Sequence, residues 1–480
     1  MSVRPFRRAC VAMTAALVTA LSIPLAAQAS TSDDATHPTL DDQAATAQSA
    51  DQLKPRIVPG PASAPVGGSA RSSVAPQAAA TPPAQVTAVN VAAVASTMAD
   101  FEWSAPSDGG SPITKYHLQL LLDGNLLDEV VTDAPIVSAT FFDLLPDTGY
   151  AFRLAAINAV GTGEFSQPVS FTTTHSSVDR LYGRDRFETS VRVSEDAFPF
   201  TGVGVGLVAN GLNFPDALAA AAAGGAFVGP VLLTHPAALP GVVRDELFAL
   251  EPEYVVVPGG TGAVSDMVLD AVTPAAAVGG FRIDGLNRYD TAAQISDLWE
   301  SADTVFLASG TTYPDALAGA AAAGFNESPV LLTSRDALPA ETADALAYHA
   351  PSRIVVLGGT GSVSATVANQ AKTAAGTNPT VQRLAGPDRY QTAVEISKAT
   401  FTTPRVPVIY VASGAGFADA LAGAAAAGYR GGPVLLSAQG SASAAVLAEI
   451  ERLDPVRVIV LGGPAAVSDT VVAQIAEVLD

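Results

Sequence analysis

Residues 305–333 read VFLASGTTYPDALAGAAAAGFNESPVLLT, and the fold turns on that stretch. Near-copies stand upstream at 205–234, VGLVANGLNFPDALAAAAAGGAFVGPVLLT, and downstream at 408–437, VIYVASGAGFADALAGAAAAGYRGGPVLLS. The Asp-Ala-Leu-Ala element begins at Asp216, Asp315 and Asp419, and Pro-Val-Leu-Leu begins at Pro230, Pro329 and Pro433, so both recur after 99 and then 104 residues. Solenoid units run about 20–50 residues, whereas this period is a domain length. The chain therefore predicts three tandem copies of one small folded module.

Within each copy, apolar strands alternate with helices of about ten residues, the pattern of a parallel sheet covered on both faces. In the second copy the expected order starts with an amphipathic helix, apolar at Ala292, Ile295 and Leu298. A strand at 305–308, the alanine-rich helix from Pro314, a strand at 330–333, a helix over 339–348, a strand at 354–357, a Gly-Gly loop and a last helix follow. Each module is expected to be a Rossmann-like α/β layer, with boundaries at 178–278, 279–378 and 379–480. The apolar run 217–233 is broken by Gly224, Gly225, Gly229 and Pro230 and falls short of the ~20 residues a membrane helix needs. It reads as a buried helix feeding a buried strand. Pro215 and Asp216 suit a helix start, because proline lacks the donor left unsatisfied there and a carboxylate faces the positive helix end. Asp216, Asp315 and Asp419 are accordingly expected to cap, with a binding role as the alternative.

The Gly-Gly loops stand at Gly259-Gly260, Gly358-Gly359 and Gly462-Gly463. Each leaves the carboxyl end of a strand and precedes a helix with an expected serine cap, at Ser265, Ser364 and Ser468. Backbone amides freed there can hold phosphate or carboxylate, which makes these six glycines candidate anion contacts. Plain turn geometry is the alternative. No loop fits G-x-G-x-x-G or a P-loop with its lysine, so a nucleotide site has no support. A second recurring element, G-x-[DN]-R-[FY]-x-T, opens the modules at 183–189, 285–291 and 386–392 and repeats an arginine followed by an aromatic: Arg186, Arg288 and Arg389. Two roles are open to them. One is an ion pair to an acid such as Asp216, Asp315 or Asp419, inside a module or between modules; the other is contact with an anionic ligand.

Comparing copies also bears on catalysis. The histidines, His37, His117, His175, His235 and His349, share no module position, and Asn210 stands where Ser309 and Ser413 precede a glycine. Neither a serine nucleophile nor a histidine metal site repeats in every module. H-E-x-x-H and G-x-S-x-G are absent from the sequence. The expectation is a protein that is not an enzyme and needs no cofactor or metal.

Upstream, Arg4, Arg7 and Arg8 precede an apolar run over 9–27, and Ala27-Gln28-Ala29 offers a cleavage site, so residues 1–29 read as an export signal. Cleavage removes Cys10, the single cysteine, and with it any disulfide or thiolate metal site. Residues 30–81 are rich in Ala, Ser, Thr and Pro without a period and read as a disordered linker. From 82 to 174, short alternating segments are punctuated by turns at Asp108-Gly109-Gly110, Asp123-Gly124 and Pro146-Asp147, which predicts a β-sandwich of about seven strands. Trp103, Tyr116 and Tyr150 fall where such a core buries aromatics. Overall, 46 acidic against 25 basic residues give a net charge of −21, which disfavours nucleic acid or an anionic membrane held by general electrostatics. An anionic ligand needs local donors.

Residues 82–174, through FEWSAP, ITKYHLQL and LLPDTGYAFRLAAINAVGTGEFS, resemble a fibronectin type III domain. Residues 180–480 resemble the cell wall-binding repeat 2 family in the R-L-x-G-x-[DN]-R-[FY]-x-T opening, P-D-A-L-A, P-V-L-L and V-V-L-G-G-T elements. That second resemblance implies three modules packed as a pseudo-threefold trimer within one chain. It also implies a secreted protein held noncovalently on an anionic polymer of the Gram-positive wall, teichoic-acid-like or another secondary polymer, with no membrane span after signal cleavage. Attachment in the family is associated with an Ile-Leu-Leu triplet. Here that makes Leu232, Leu233, Leu331, Leu332, Leu435 and Leu436 candidate polymer contacts, although their apolar character reads as buried strand. Module three departs at Phe417-Ala418 and Pro464. The expected function is wall attachment, with the fibronectin-like domain as spacer or as a module for a protein or carbohydrate partner. The alternatives are an extracellular hydrolase of wall polymer, with Asp216, Asp315 or Asp419 as acid and base, and a structural surface-layer subunit.

Overall fold

The structure, a computed structural model, describes residues 56–59 and 79–479, which form two compact units dividing between residues 177 and 178. The export signal expected over 1–29 and most of the linker expected over 30–81 lie outside the described residues.

The first unit is a β-sandwich. One sheet runs Arg56–Pro59, Ser138–Phe142, Ala99–Trp103, Val89–Val94, and the other Asn125–Asp133, Lys115–Leu122, Gly149–Ile157, Val169–Thr172. Neighbours in both are antiparallel. Alternation sends one face of each strand inward, so Tyr150, Phe152 and Leu154 are buried while Ala151 and Arg153 between them are only partly covered. Trp103 meets Tyr116 edge-on at 5.5 Å, and Phe101 meets Phe141 at 5.2 Å, so the aromatics expected in the core are there. The Tyr150 hydroxyl accepts the Leu145 N–H at 2.9 Å and ties the corner into its strand. Arg56–Pro59 corrects the reading of 30–81 as linker throughout. Four residues are too few to display a period, yet they pair with Ser138–Phe142 from Arg56↔Phe142 to Pro59↔Ala139.

The second unit holds the three modules. The first sheet orders Val231–Thr234, Val205–Asn210, Tyr254–Pro258 and Gly279–Ile283, all parallel. The second repeats this as Val330–Thr333, Thr304–Ser309, Arg353–Leu357 and Thr380–Leu384. In each, the fourth strand is the opening strand of the following repeat. In the third sheet, Val434–Ser437, Val408–Ser413 and Arg457–Leu461 are joined by Ser177–Leu181, the opening strand of the first repeat. Boundaries drawn at 278/279 and 378/379 therefore separate strands that share a sheet, and the chain closes on itself. Other bounds agree with the sequence reading: the alanine-rich helix of module two is Pro314–Phe325, the next strand Val330–Thr333, the next helix Ala340–His349.

Each alanine-rich helix, Pro215–Ala226, Pro314–Phe325 and Ala418–Arg430, packs against the other two. Small side chains permit that approach. A Cβ added to Gly225 would lie 3.1 Å from the Gly324 Cα and 3.2 Å from the Gly428 Cα, so these glycines meet at the closest point of the three helices. The Val-Leu-Leu edge strands run beside the same helices, Val231–Thr234 against the third module's, Val330–Thr333 against the first's and Val434–Ser437 against the second's. Covering an edge strand in this way removes a surface prone to pair with other chains.

Candidate functional site

The recurring G-x-[DN]-R-[FY]-x-T element forms the entrance to each module's first helix. Asp185 accepts N–H bonds from Phe187 and Glu188 at 2.9 and 3.0 Å, Asn287 from Tyr289 and Asp290, and Asp388 from Gln391. The closing threonine turns back: Thr189, Thr291 and Thr392 hydroxyls accept the N–H of Gly183, Gly285 and Gly386 at 3.1, 3.2 and 3.0 Å. With the entrance fixed, the arginine beside the cap is aimed. Arg186, Arg288 and Arg389 each donate Nη1 to a strand-end carbonyl, of Gly211, Gly310 and Gly414, at 2.7, 2.6 and 2.5 Å. Arg186 and Arg389 are otherwise exposed and Arg288 half-buried.

The capping role expected of Asp216, Asp315 and Asp419 is not what the structure has. The cap positions belong to Phe214, Tyr313 and Phe417, which make no side-chain cap hydrogen bond, and the aspartates lie in the first turn. Their carboxylates lean on the Gly-Gly loops. A Cβ on Gly259, Gly358 or Gly462 would come within 2.4, 2.2 or 2.5 Å of the Asp216, Asp315 or Asp419 Oδ2. These glycines also have φ of +89°, +88° and +88°, so a side chain is excluded there on two counts.

The arginine each carboxylate faces comes from the next module, with the first following the third: Arg288 for Asp216, Arg389 for Asp315, Arg186 for Asp419. Of the two arginine roles open in the sequence, attraction between modules is present, but at longer range than an ion pair; none joins these groups among the described residues. Burial pushes all three carboxyls above the ordinary Asp range. Arg288 and the Thr291 hydroxyl draw Asp216 back, Ser362, Thr392 and Arg389 draw Asp315 back, and Arg186 alone draws Asp419 back. Between modules one and two these groups line a cleft of about 180 Å³, with Asp216 and Gly260 on one wall and Asn287, Arg288 and Thr291 on the other.

Two sets of expected polymer contacts are corrected. Leu232, Leu233, Leu331, Leu332, Leu435 and Leu436 are 0% exposed, so no polymer reaches them; Leu232, Leu233, Leu332 and Leu436 share a core with the alanine-rich helices, and Leu331 and Leu435 fill separate cores of modules two and three. Gly259, Gly358 and Gly462 are buried with both backbone groups engaged. Their N–H groups bond the carbonyls of Ile283, Leu384 and Leu181, and their carbonyls accept from Arg282, Arg383 and Arg180 at 2.6, 2.7 and 2.8 Å. Gly260, Gly359 and Gly463 remain half-buried. Sequence reasoning misses the Arg180, Arg282, Arg383 set and the trio Phe214, Tyr313, Phe417, whose rings meet at 5.4, 5.9 and 5.9 Å. The signal for both is recurrence at the module period.

Three linked α/β modules, each meeting the next through the same arginine, aspartate and glycine-loop groups, define a modular binding protein built from repeats. Residues 180–269, 282–368 and 383–472 match cell wall binding domain 2 (CWB2), and residues 82–172 match the fibronectin type III domain. The CWB2 matches cover more than half of the chain, which belongs to that family. One relative, the N-acetylmuramoyl-L-alanine amidase LytC of Bacillus subtilis (strain 168), is 29% identical over 301 residues, 62% of this chain and 58% of the amidase. The amidase enhancer of the same organism is 30% identical over 267 residues, 56% of this chain and 36% of the enhancer. The chain thus spans little more than half of one relative and about a third of the other. The structure of Cwp6 from Clostridium difficile superposes with a TM-score of 0.62 at 18% identity, covering 82% of this chain and 68% of that one, a likeness of fold. The expectation that the protein is not an enzyme does not stand beside the amidase match and is withdrawn.

Proposed function

We propose that the chain is exported by its 1–29 leader and fastened to the wall by an anionic polymer, teichoic-acid-like or another secondary polymer. The polymer crosses the junctions of three Rossmann-like modules set around a pseudo-threefold axis. The observation that carries this reading is the cyclic placement of arginine and aspartate. Every junction sets a guanidinium, anchored through one N–H, opposite a partly buried carboxylate of the neighbouring module. Arg186, Arg288 and Arg389 hold phosphate or carboxylate by forked hydrogen bonds, and Gly260, Gly359 and Gly463 form the backbone of the same clefts. Linked weak sites on a repeating polymer gain through effective concentration. The mutual packing of the alanine-rich helices supports the threefold arrangement, and the parallel sheets support the Rossmann-like description. The fibronectin-like domain, with its own core, serves as spacer or interaction module. Sedimentation of the full chain with purified walls, before and after stripping phosphate-linked polymer, tests the reading. Single Arg→Gln changes weaken retention modestly, and the triple change nearly abolishes it at unchanged melting temperature. Undiminished affinity in a folded triple variant removes these arginines from the site.

A second reading, favoured by the amidase likeness and by the three burial-raised carboxyls, is participation in wall hydrolysis. Under it the purified chain releases soluble wall fragments and the Asp216→Asn, Asp315→Asn, Asp419→Asn triple does not. No release by the unmodified chain across the acid and neutral range removes it.

A further inference from the structure

The three junctions share an arginine on the opening strand but not its partner. Arg282 donates Nη1 to the Gly259 carbonyl at 2.6 Å and sets Nη2 3.0 Å from Asp266. Arg180 donates Nη1 to the Gly462 carbonyl at 2.8 Å and sets Nη2 3.0 Å from Asp469. Asp266 and Asp469 are the first residues of their helices, directly after Ser265 and Ser468. At two junctions, then, one of the chain's own carboxylates lies where an arginine fork and a helix N-terminus converge. At the junction of modules two and three, Arg383 makes the same bond to Gly358 at 2.7 Å. The helix facing it, Ala365–Ala375, begins with Ala365. Among the described residues Arg383 forms no ion pair, and its side-chain hydrogen bond is the one to Gly358; burial lowers its pKa. The Ser364 hydroxyl caps the Val367 N–H at 3.2 Å, and the N–H groups of Ala365 and Thr366 have no protein acceptor among the described residues.

We propose that this junction is an anion site, in which the Arg383 guanidinium and the first turn of Ala365–Ala375 take a phosphate or carboxylate from outside, in the place where the other junctions supply their own aspartate. The three repeats are thereby unequal. One junction per chain, not three, takes an external anion at this position. The reading of the anion as part of the wall polymer rests on the proposed function; the site itself does not.

Calorimetric titration of the full chain with inorganic phosphate at low ionic strength tests the site. One phosphate binds at this position per chain, apart from any held at Arg186, Arg288 and Arg389, and Arg383→Gln weakens it about tenfold or more. Ala365→Asp, which supplies the missing carboxylate, removes phosphate binding while the melting temperature holds or rises. Asp266→Ala frees Arg282 and raises the stoichiometry by one. Absence of phosphate binding to the unmodified chain, or unchanged affinity in both Arg383→Gln and folded Ala365→Asp, overturns the proposal. Sedimentation with intact and stripped walls separates the sources. Loss of wall retention in Ala365→Asp assigns the site to the polymer. Retention unchanged despite lost phosphate binding leaves the site standing for free phosphate alone. An unmodified chain that binds phosphate but ignores walls overturns the proposed function and spares this site.

Discussion

The junction that closes the ring, between modules three and one, differs in one slot from the two junctions that follow the chain. At the first of those, Tyr254 meets Phe281 with ring centroids 6.2 Å apart; at the second, Arg353 donates to the Gln382 Oε1 at 2.5 Å. In the same slot of the closing junction, Arg457 holds Asp179 and also reaches Asp196 at 2.6 Å. Arg430 adds bonds to the Asp196 and Ala197 carbonyls at 2.9 and 3.0 Å. A ring pair recurs at all three junctions: Phe227–Trp299, Phe325–Phe401 and Phe198–Tyr429 sit at 4.9, 5.0 and 5.0 Å. Modules joined by a few residues of chain meet at high local concentration, and apolar or amide contacts suffice. The closing pair is brought together across 278 residues, where loop closure costs more and a charge pair in fixed geometry penalises wrong docking.

Removing the opening strand tests that contrast most severely. A chain lacking Ser177–Leu181 leaves the third sheet one strand short and the Gly462 N–H unpaired; calorimetry should show module three melting separately and below the other two. Next in size is Arg457→Ala, which strands two carboxylates and is expected to cost about 3 kcal/mol, while Arg353→Ala costs under about 1 kcal/mol. Equal losses in denaturant titrations of the two variants erase the distinction between junctions. Replacing Arg457, Asp179 and Asp196 together with apolar residues should cost less than Arg457→Ala alone.

A comparable effect lies inside a module rather than at a junction. His349 occupies the position of Leu250 and Leu453; burial pulls its pKa down to about 4, its Nε2 lies 3.1 Å from the Ser296 Oγ, and its Nδ1 has no hydrogen-bond partner among the described residues. The unfolded chain takes a proton near 6.5 and the folded one not until about 4, so the stability present above the first value is lost as pH falls towards the second. The loss is about 3 kcal/mol. His349→Leu should abolish most of this acid sensitivity with little change at pH 8, and an unaltered acid melting profile would remove His349 as its source. The smallest effect is expected at Asp419, whose carboxyl is raised by burial. The folded state binds its proton more tightly than the unfolded, so stability declines as pH rises from about 3.8 through the folded value. Asp419→Asn should raise the melting temperature slightly at pH 7, with the gain gone near pH 3.8.

Much of the fold is legible because the period displays every module element three times, and agreement among copies sharpens bounds such as Pro314–Phe325 and Val330–Thr333. The sheet an edge strand joins is not legible in that way. Nothing in GGFRI at 279–283 says that it pairs backwards with Tyr254–Pro258, since strand pairing is a tertiary choice among similar apolar segments. At the site, arginines and aspartates stand out by recurrence, but Asp216 facing Arg288 depends on how modules meet. The aspartates' place on the Gly-Gly loops is equally hidden, because helix-start chemistry and loop contact call for the same residue one turn from a cap. For the Val-Leu-Leu strands, the apolar pattern and the family resemblance pull apart, and 0% exposure decides for the pattern.

Because the first strand of the modules is also the last strand of their third sheet, the polypeptide that links them to the sandwich enters the ring at its closure. Tension applied from the N-terminal side reaches Ser177–Leu181 and the Arg457 pair before it reaches any module interior. The closure is therefore the mechanical fuse of the assembly. How long the assembly withstands such a pull is set by the rate at which that strand peels away, not by the equilibrium stability of the modules behind it.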